Sequence, residues 1–200
     1  MRGSNVSDHW HWANSCDNSV VLVLLQWAQK NIAKYGGDPK RIYILGQSAG
    51  GAALITYLGH KEEWGPQGIG LKAAIIQSGP GNLLPLKAKT TGPALRIVKR
   101  GGQPTTYPPT TPVDPAVQLQ RSSLPGMESL KIPVLITTAE YDPPAIRELL
   151  PQLVDAMKKS GASVEYRFNK GHDHMSQVFS VGSDDTSVSA PNLAFLRAHP

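Results

Sequence analysis

The sequence predicts an α/β fold, a mostly parallel sheet with flanking helices, and three observations predict it. Four short runs of aliphatic and β-branched residues, at 41–45, 71–77, 134–138 and 164–168, have the length and composition of buried strands. Longer stretches beside them carry apolar residues at every third or fourth position, the period of a helix with one buried face. Glycine and proline stand mainly at the joins, where they end one element and begin the next. Strands that alternate with helices are joined by crossovers, and crossovers favour parallel pairing.

Each element follows in order. Residues 1–17 are polar, with His9, Trp10, His11 and Trp12 in a row, and read as an irregular lead-in. Asp17 or Asn18 supplies an acceptor for the orphan amides of a helix start. A helix over 19–35 then places Val20, Val21, Leu24, Leu25, Ala28 and Ile32 on one face, with Trp27 expected to pack alongside. Gly36-Gly37 ends it, because glycine takes the left-handed cap without a Cβ penalty. Asp38-Pro39 reads as a turn into the strand at 41–45. A second helix starts after Ser48 and runs to Leu58, and Pro133 leads into the strand at 134–138. Residues 145–160 form an amphipathic helix that Gly161 ends, and the strand at 164–168 follows. Residues 79–130 differ: Pro, Gly and Thr crowd together there, most densely over 102–112. Within a single domain spanning 1–200, such a segment is expected to be a lid or loop insertion.

Composition narrows the function classes. A chain of 200 residues with 40% hydrophobic content suits one domain with a substantial core. The 20 Lys and Arg against 15 Asp and Glu give a net charge of +5, spread in pairs such as Lys40-Arg41, Lys99-Arg100 and Lys158-Lys159. No block reaches the roughly five or six like charges of a nucleic-acid arm, and no recognition motif accompanies the charge, so no nucleic-acid partner is expected. Cys16 is the single cysteine and cannot form an internal disulfide; it reads as a small apolar filler. No apolar run of about 18 residues is present, so no membrane span is expected. The first residues lack the apolar core of a signal peptide, which makes a cytoplasmic location the expectation.

The strongest chemical signal is Gly46-Gln47-Ser48-Ala49-Gly50, followed by Gly51. It matches G-x-S-x-G and sits where that motif must sit, after a strand and before a helix. The tight turn lifts the serine hydroxyl above the sheet, and small neighbours avoid clashes within it. The helix that starts there offers free amides and a partial positive charge, so the Ala49 amide is the candidate oxyanion donor. The longer run Tyr35-Gly-Gly-Asp-Pro-Lys-Arg-Ile-Tyr-Ile-Leu-Gly-Gln-Ser-Ala-Gly-Gly51 resembles the segment through the nucleophile elbow of carboxylesterases and lipases of the α/β-hydrolase superfamily, the type-B carboxylesterases above all. The resemblance is strong over 17–58, moderate over 130–175 and weak elsewhere.

The resemblance implies an α/β-hydrolase fold and a serine carboxylic ester hydrolase that works through an acyl-enzyme on Ser48. A serine needs a general base held by an acid, and the superfamily places them in the order Ser, acid, His. The acid belongs in the loop after the strand at 134–138, where Asp142 fits best and Glu140 is the alternative. The base belongs after the strand at 164–168, where His174 fits best and His172 is the alternative. The His172-Asp-His174 spacing does not by itself make a metal site, because no third ligand set accompanies it, and neither metal nor organic cofactor is expected. His9, His11, His60 and His199 read as exposed or structural. Gln47, beside the serine, and Ser78, in the Ser78-Gly79-Pro80 turn, are candidates for contact with a small-molecule ester.

The chain also departs from the superfamily pattern. Four strands normally precede the elbow, yet 1–40 has room for a helix and no clear strand, and the His-Gly-Gly loop that supplies further oxyanion amides is missing. The loss of one oxyanion donor costs about 100- to 1,000-fold in turnover. The strand at 41–45 is expected to lie on an uncovered edge, which invites pairing with a second copy. Three explanations stay open: a truncated piece of a larger esterase, which the pattern favours; an edge completed by another chain; or a minimal hydrolase whose lead-in supplies an amide from around 9–12. A non-catalytic, hydrolase-like binding protein is the alternative from another class. Acyl transfer or peptide hydrolysis would use the same triad.

Overall fold

The computed structural model describes residues 18–87, 97–98, 104–105 and 115–200. The lead-in with Cys16 and the rings of residues 9–12 lies outside the described residues, as does most of the Pro- and Thr-rich part of 79–130.

Helix α1 spans Asn18–Asn31 and tightens into a 3-10 turn over Ile32–Tyr35. Gly36 stops it at φ 81°, the left-handed cap expected of the Gly36-Gly37 pair. The buried stripe is Val21 and Leu25, with Leu22 packed against the same core. Leu24, expected on that stripe, is 59% exposed, and Trp27 stacks on Tyr35 at 6.1 Å instead of entering the core. Apolar residues surround this helix, so its contact with the next helix decides which face is covered.

Asp38 makes the turn expected of it: its Oδ1 accepts the Lys40 amide at 2.8 Å and its carbonyl accepts the Arg41 amide at 3.0 Å. That turn absorbs Arg41, so strand β1 starts two residues later than predicted and runs Tyr43–Gln47, directly into the elbow. Helix α2 follows over Ala49–Gly59, then strand β2 over Ala73–Gln77. A two-residue pair, β3 (Ile97–Val98) and β4 (Pro104–Thr105), is antiparallel. Short helices α3 (Pro115–Gln120) and α4 (Leu124–Glu128) precede strand β5, Val134–Tyr141. Helix α5 spans Pro144–Lys159, and Lys158 and Lys159 complement the negative end of its dipole. Strand β6, Val164–Asp173, is followed by α6 (Ser176–Phe179) and α7 (Ser189–Ala198).

The main sheet has the order β1-β2-β5-β6, and every pair is parallel. Side chains alternate across it, and the two sets enter two cores. Ala74, Ile76, Val134 and Ile136 face a layer built from α1, α2, α4 and α5, with Leu54, Leu58, Leu150 and Leu153 at its centre. Ala73, Ile75 and Leu135 face Phe195 of α7 on the other side. Complete burial of a large aliphatic side chain stabilises by about 1.5–3 kcal/mol, so β2 and β5 anchor the molecule. Strands β1 and β6 form the two edges.

The structure corrects the sequence reading in several places. Strands β5 and β6 run to Tyr141 and Asp173, three and five residues beyond prediction, because they pair with each other through a register shift near Ala139 and Tyr141. The polar stretch Asn169-Lys170-Gly171 is held in a strand by that partner against its own propensity. Segment 79–130 is not loop throughout: Leu83, Leu124 and Met127 are core residues and α4 packs against α2 and α5. Helix α7 escaped prediction because Pro191 and a run of small polar residues mask its period.

Candidate active site

Ser48 occupies the link between β1 and α2 with φ 52° and ψ −115°, a conformation that non-glycine residues rarely adopt. The neighbouring glycines make that turn feasible. A Cβ on Gly46 would lie 2.4 Å from the Gly50 carbonyl oxygen, and a Cβ on Gly51 would lie 2.6 Å from Gly79 Cα. Both contacts are backbone, so neither could yield to a side chain. The second also brings the turn after β2 directly under the start of α2. The Ser48 amide donates to the Gln77 carbonyl at 3.0 Å, which pins the elbow to β2.

Three side chains from three strand ends meet above the sheet. His174, after β6, places Nε2 at 2.7 Å from Ser48 Oγ and Nδ1 at 2.7 Å from Asp142 Oδ1. Asp142 follows β5, and its side chain is fully buried, whereas the His174 side chain is 24% exposed. A carboxylate only accepts, so Nδ1 carries the proton and a neutral imidazole offers the Nε2 lone pair to the serine hydroxyl. Such a chain of hydroxyl, imidazole and carboxylate can transfer a proton away from the oxygen as it attacks a carbonyl.

The alternatives weighed in the sequence lie elsewhere. Glu140 Oε2 accepts the Gly171 amide at 2.7 Å, bracing the end of β6 before His174. His172 is buried among serines, with Nε2 at 2.8 Å from Ser187 Oγ and Nδ1 at 3.3 Å from Ser176 Oγ, so both ring nitrogens are engaged. His60 pairs with Glu62 at 2.8 Å, and His199 meets the Phe195 carbonyl at 2.8 Å. Ala49 opens α2, where a helix leaves its first amides without internal acceptors, and it is exposed beside Ser48.

Two residues expected to contact substrate have partners within the protein. Ser78 is fully buried, with φ 50°, and donates to Asp142 Oδ2 at 2.5 Å. No face of it remains for a ligand. Gln47 is half-buried and donates through Nε2 to the His174 carbonyl at 3.0 Å, tying the β6–α6 loop to the elbow. The Ala139 amide also donates to Asp142 Oδ2, at 2.6 Å. The acid is therefore held on one oxygen by β2 and β5 and presents the other to His174.

Sequence reasoning passed over the residues that shape the loop after His174. Asp173 Oδ1 accepts the Met175 and Ser176 amides at 2.8 and 2.7 Å, and Ser176 Oγ accepts the Asp173 amide at 2.9 Å. These bonds, the one from the Ser176 amide foremost, hold the Asp173 carboxyl below the usual aspartate range. The signal was an Asp three residues before a Ser, a reciprocal cap that frames His174 on both sides. Gln177, fully buried on α6, was also missed.

A parallel sheet with helices on both faces, a strained serine at a strand-to-helix elbow, and an acid and a histidine at later strand ends define an α/β-hydrolase. A sequence profile of the carboxylesterase family matches residues 21–124, and the chain belongs to that family. Among curated relatives, mouse (Mus musculus) cholinesterase is 46% identical over 59 residues, which are 29% of this chain and 9% of that protein. Secreted lipase 5 of Gibberella zeae is 53% identical over 34 residues, 17% of this chain and 6% of that protein. The chain thus matches under a tenth of the length of these relatives. Among solved structures, a truncated carbohydrate esterase from gut microbiota aligns with a TM-score of 0.65 at 17% identity, over 93% of this chain and 69% of that one. Carboxyl esterase 2 of the mycorrhizal fungus Tuber melanosporum aligns at 0.59 and 17% identity, over 90% and 59%. At that identity the two structures establish the shared fold.

Proposed function

We propose that this chain hydrolyses small carboxylic esters through an acyl-enzyme on Ser48. One observation carries the reading: Ser48 Oγ and Asp142 Oδ1 each lie 2.7 Å from opposite nitrogens of His174. In the first step His174 Nε2 takes the hydroxyl proton while Ser48 Oγ attacks the ester carbonyl. Asp142 holds the ring orientation through Nδ1 and stabilises the imidazolium. The Ala49 amide donates to the oxyanion of the tetrahedral intermediate. Collapse of that intermediate expels the alcohol, which takes the proton from Nε2, and leaves an acyl group on Ser48. Water, deprotonated by the same nitrogen, attacks the acyl carbonyl; the Oγ–acyl bond breaks, Ser48 Oγ takes the proton back from Nε2, and the acid leaves. Every step uses groups of this chain and needs no cofactor.

The test is covalent. A fluorophosphonate should add to Ser48, located by peptide mass, and p-nitrophenyl acetate turnover should disappear in Ser48→Ala. A folded sample that never labels, or equal rates in wild type and variant, would instead favour a non-catalytic binding protein. We further propose that the outer edge of β1, unpaired among the described residues and with Leu45 47% exposed, pairs with a second copy of the chain. Sedimentation that stays monomeric at every concentration would oppose this.

A further inference from the structure

The acid is held by a longer polar chain than the triad requires, and this chain has a direction. Gln177 Nε2 lies 3.3 Å from the His174 carbonyl oxygen and 2.7 Å from Ser78 Oγ. A carbonyl oxygen can only accept, so the amide nitrogen of Gln177 faces it. That same nitrogen donates to Ser78 Oγ. Ser78 has one hydroxyl proton and already receives a donor, so its proton goes to Asp142 Oδ2, 2.5 Å away. At the far end, Asn169 Nδ2 donates to Gln177 Oε1 at 3.1 Å, and each residue in the chain is buried. The polarity thus runs from Asn169 through Gln177 and Ser78 to Asp142, whose other oxygen receives the His174 proton.

We propose that Gln177 is a positioning residue that holds the Ser78 oxygen in place, so that its hydroxyl stays on Asp142 Oδ2 and seats Asp142 beneath His174. Buried hydrogen bonds are costly when broken, so a hydroxyl held at both ends, with the Ala139 amide beside it, confines the carboxylate to one rotamer. Gln177 also ties α6 to the end of β2, so the loop bearing His174 and the turn bearing Ser78 share one anchor. Gln177 touches neither the reacting hydroxyl nor the expected ester, and its effect passes through Ser78. The inference rests on the hydrolase reading for its kinetic arm and stands apart from it for its spectroscopic arm.

Gln177→Met keeps the length and removes the donor. It should lower kcat for p-nitrophenyl acetate about tenfold and leave KM within about twofold, because one buried hydrogen bond is at stake. In a Ser78→Ala background the same change should add almost nothing, because the hydroxyl it holds is gone. Losses that multiply, an unchanged kcat, or a change confined to KM would overturn the proposal. Gln177→Asn, whose amide falls one methylene short, serves if the methionine variant does not fold. The proton between His174 and Asp142 gives a downfield NMR resonance whether or not an ester is turned over. It should shift in Gln177→Met and Ser78→Ala alike, and an unmoved resonance would defeat the idea. If wild type neither labels nor turns over, the hydrolase reading falls while this resonance still decides the role of Gln177.

Discussion

At the scale of the residue, one question the sequence left open was which of two carboxylates and which of two histidines would meet Ser48. Spacing could not decide, because Glu140 and Asp142 are two positions apart, as are His172 and His174. The structure separates them by what each already holds: Glu140 braces Gly171, His172 sits among Ser176 and Ser187, and Asp142 and His174 converge. The prediction is asymmetric. Asp142→Asn should lower kcat about 10⁴-fold by presenting His174 with the wrong partner for its Nδ1 proton. Glu140→Gln keeps an acceptor for the Gly171 amide and should cost less than about tenfold. Steady-state kinetics on the two variants decide it, and a reversed ranking would reassign the acid. Ser48 was legible because its motif is local. Ser78 was not, because its partner is 64 residues away, and a serine after a strand reads equally well as pocket lining.

At the scale of the element, the strands were legible wherever their own residues carried the signal, as in β2 and the first half of β5. They were illegible where a neighbour imposed the conformation, as in the polar end of β6. Two elements carry testable energetics. Thr137 on β5 is buried, and its Oγ1 has no hydrogen-bond partner among the described residues. Thr137→Val removes that unpaired hydroxyl at constant shape, and urea unfolding should show a gain of about 1 kcal/mol. A loss would mean that the hydroxyl is satisfied in solution. The cap at Asp173 sets a pH dependence. Its carboxyl is held below the usual aspartate value, so the stabilisation is complete above the unfolded aspartate pKa of about 4 and is lost as pH falls through the lower folded value. The melting temperature of wild type should therefore exceed that of Asp173→Ala by a constant margin down to about pH 4, and the margin should close below it. A margin that persists in stronger acid would show that the cap acts without its charge.

At the scale of the whole molecule, the order β1-β2-β5-β6 places the elbow strand at an edge and the two most buried strands at the centre. Departure from the superfamily pattern pointed to an edge at β1, but only the pairing shows which of its amides face away from β2. The Ser48 amide bonds to Gln77 on β2, and the Ile42 carbonyl accepts from Lys72 at the other end. In a parallel ladder alternate residues face one neighbour, so Ile44 and Gly46 also face β2, whereas the amides of Tyr43, Leu45 and Gln47 face away. On α1, Val23, Leu24 and Trp27 are exposed apolar side chains. Hydrogen exchange should therefore be slowest at Ile75, Ile76, Leu135 and Ile136, whose opening approaches global unfolding. In dilute protein, Tyr43, Leu45 and Gln47 should exchange orders of magnitude faster than their neighbours Ile44 and Gly46. If the edge pairs with a second copy, raising the protein concentration should slow those three amides together and leave Ile44 and Gly46 unchanged, because only the outward set gains acceptors. Protection that is absent at every concentration would remove self-pairing from the account. Protection already complete in dilute protein would mean that another part of the chain covers the edge.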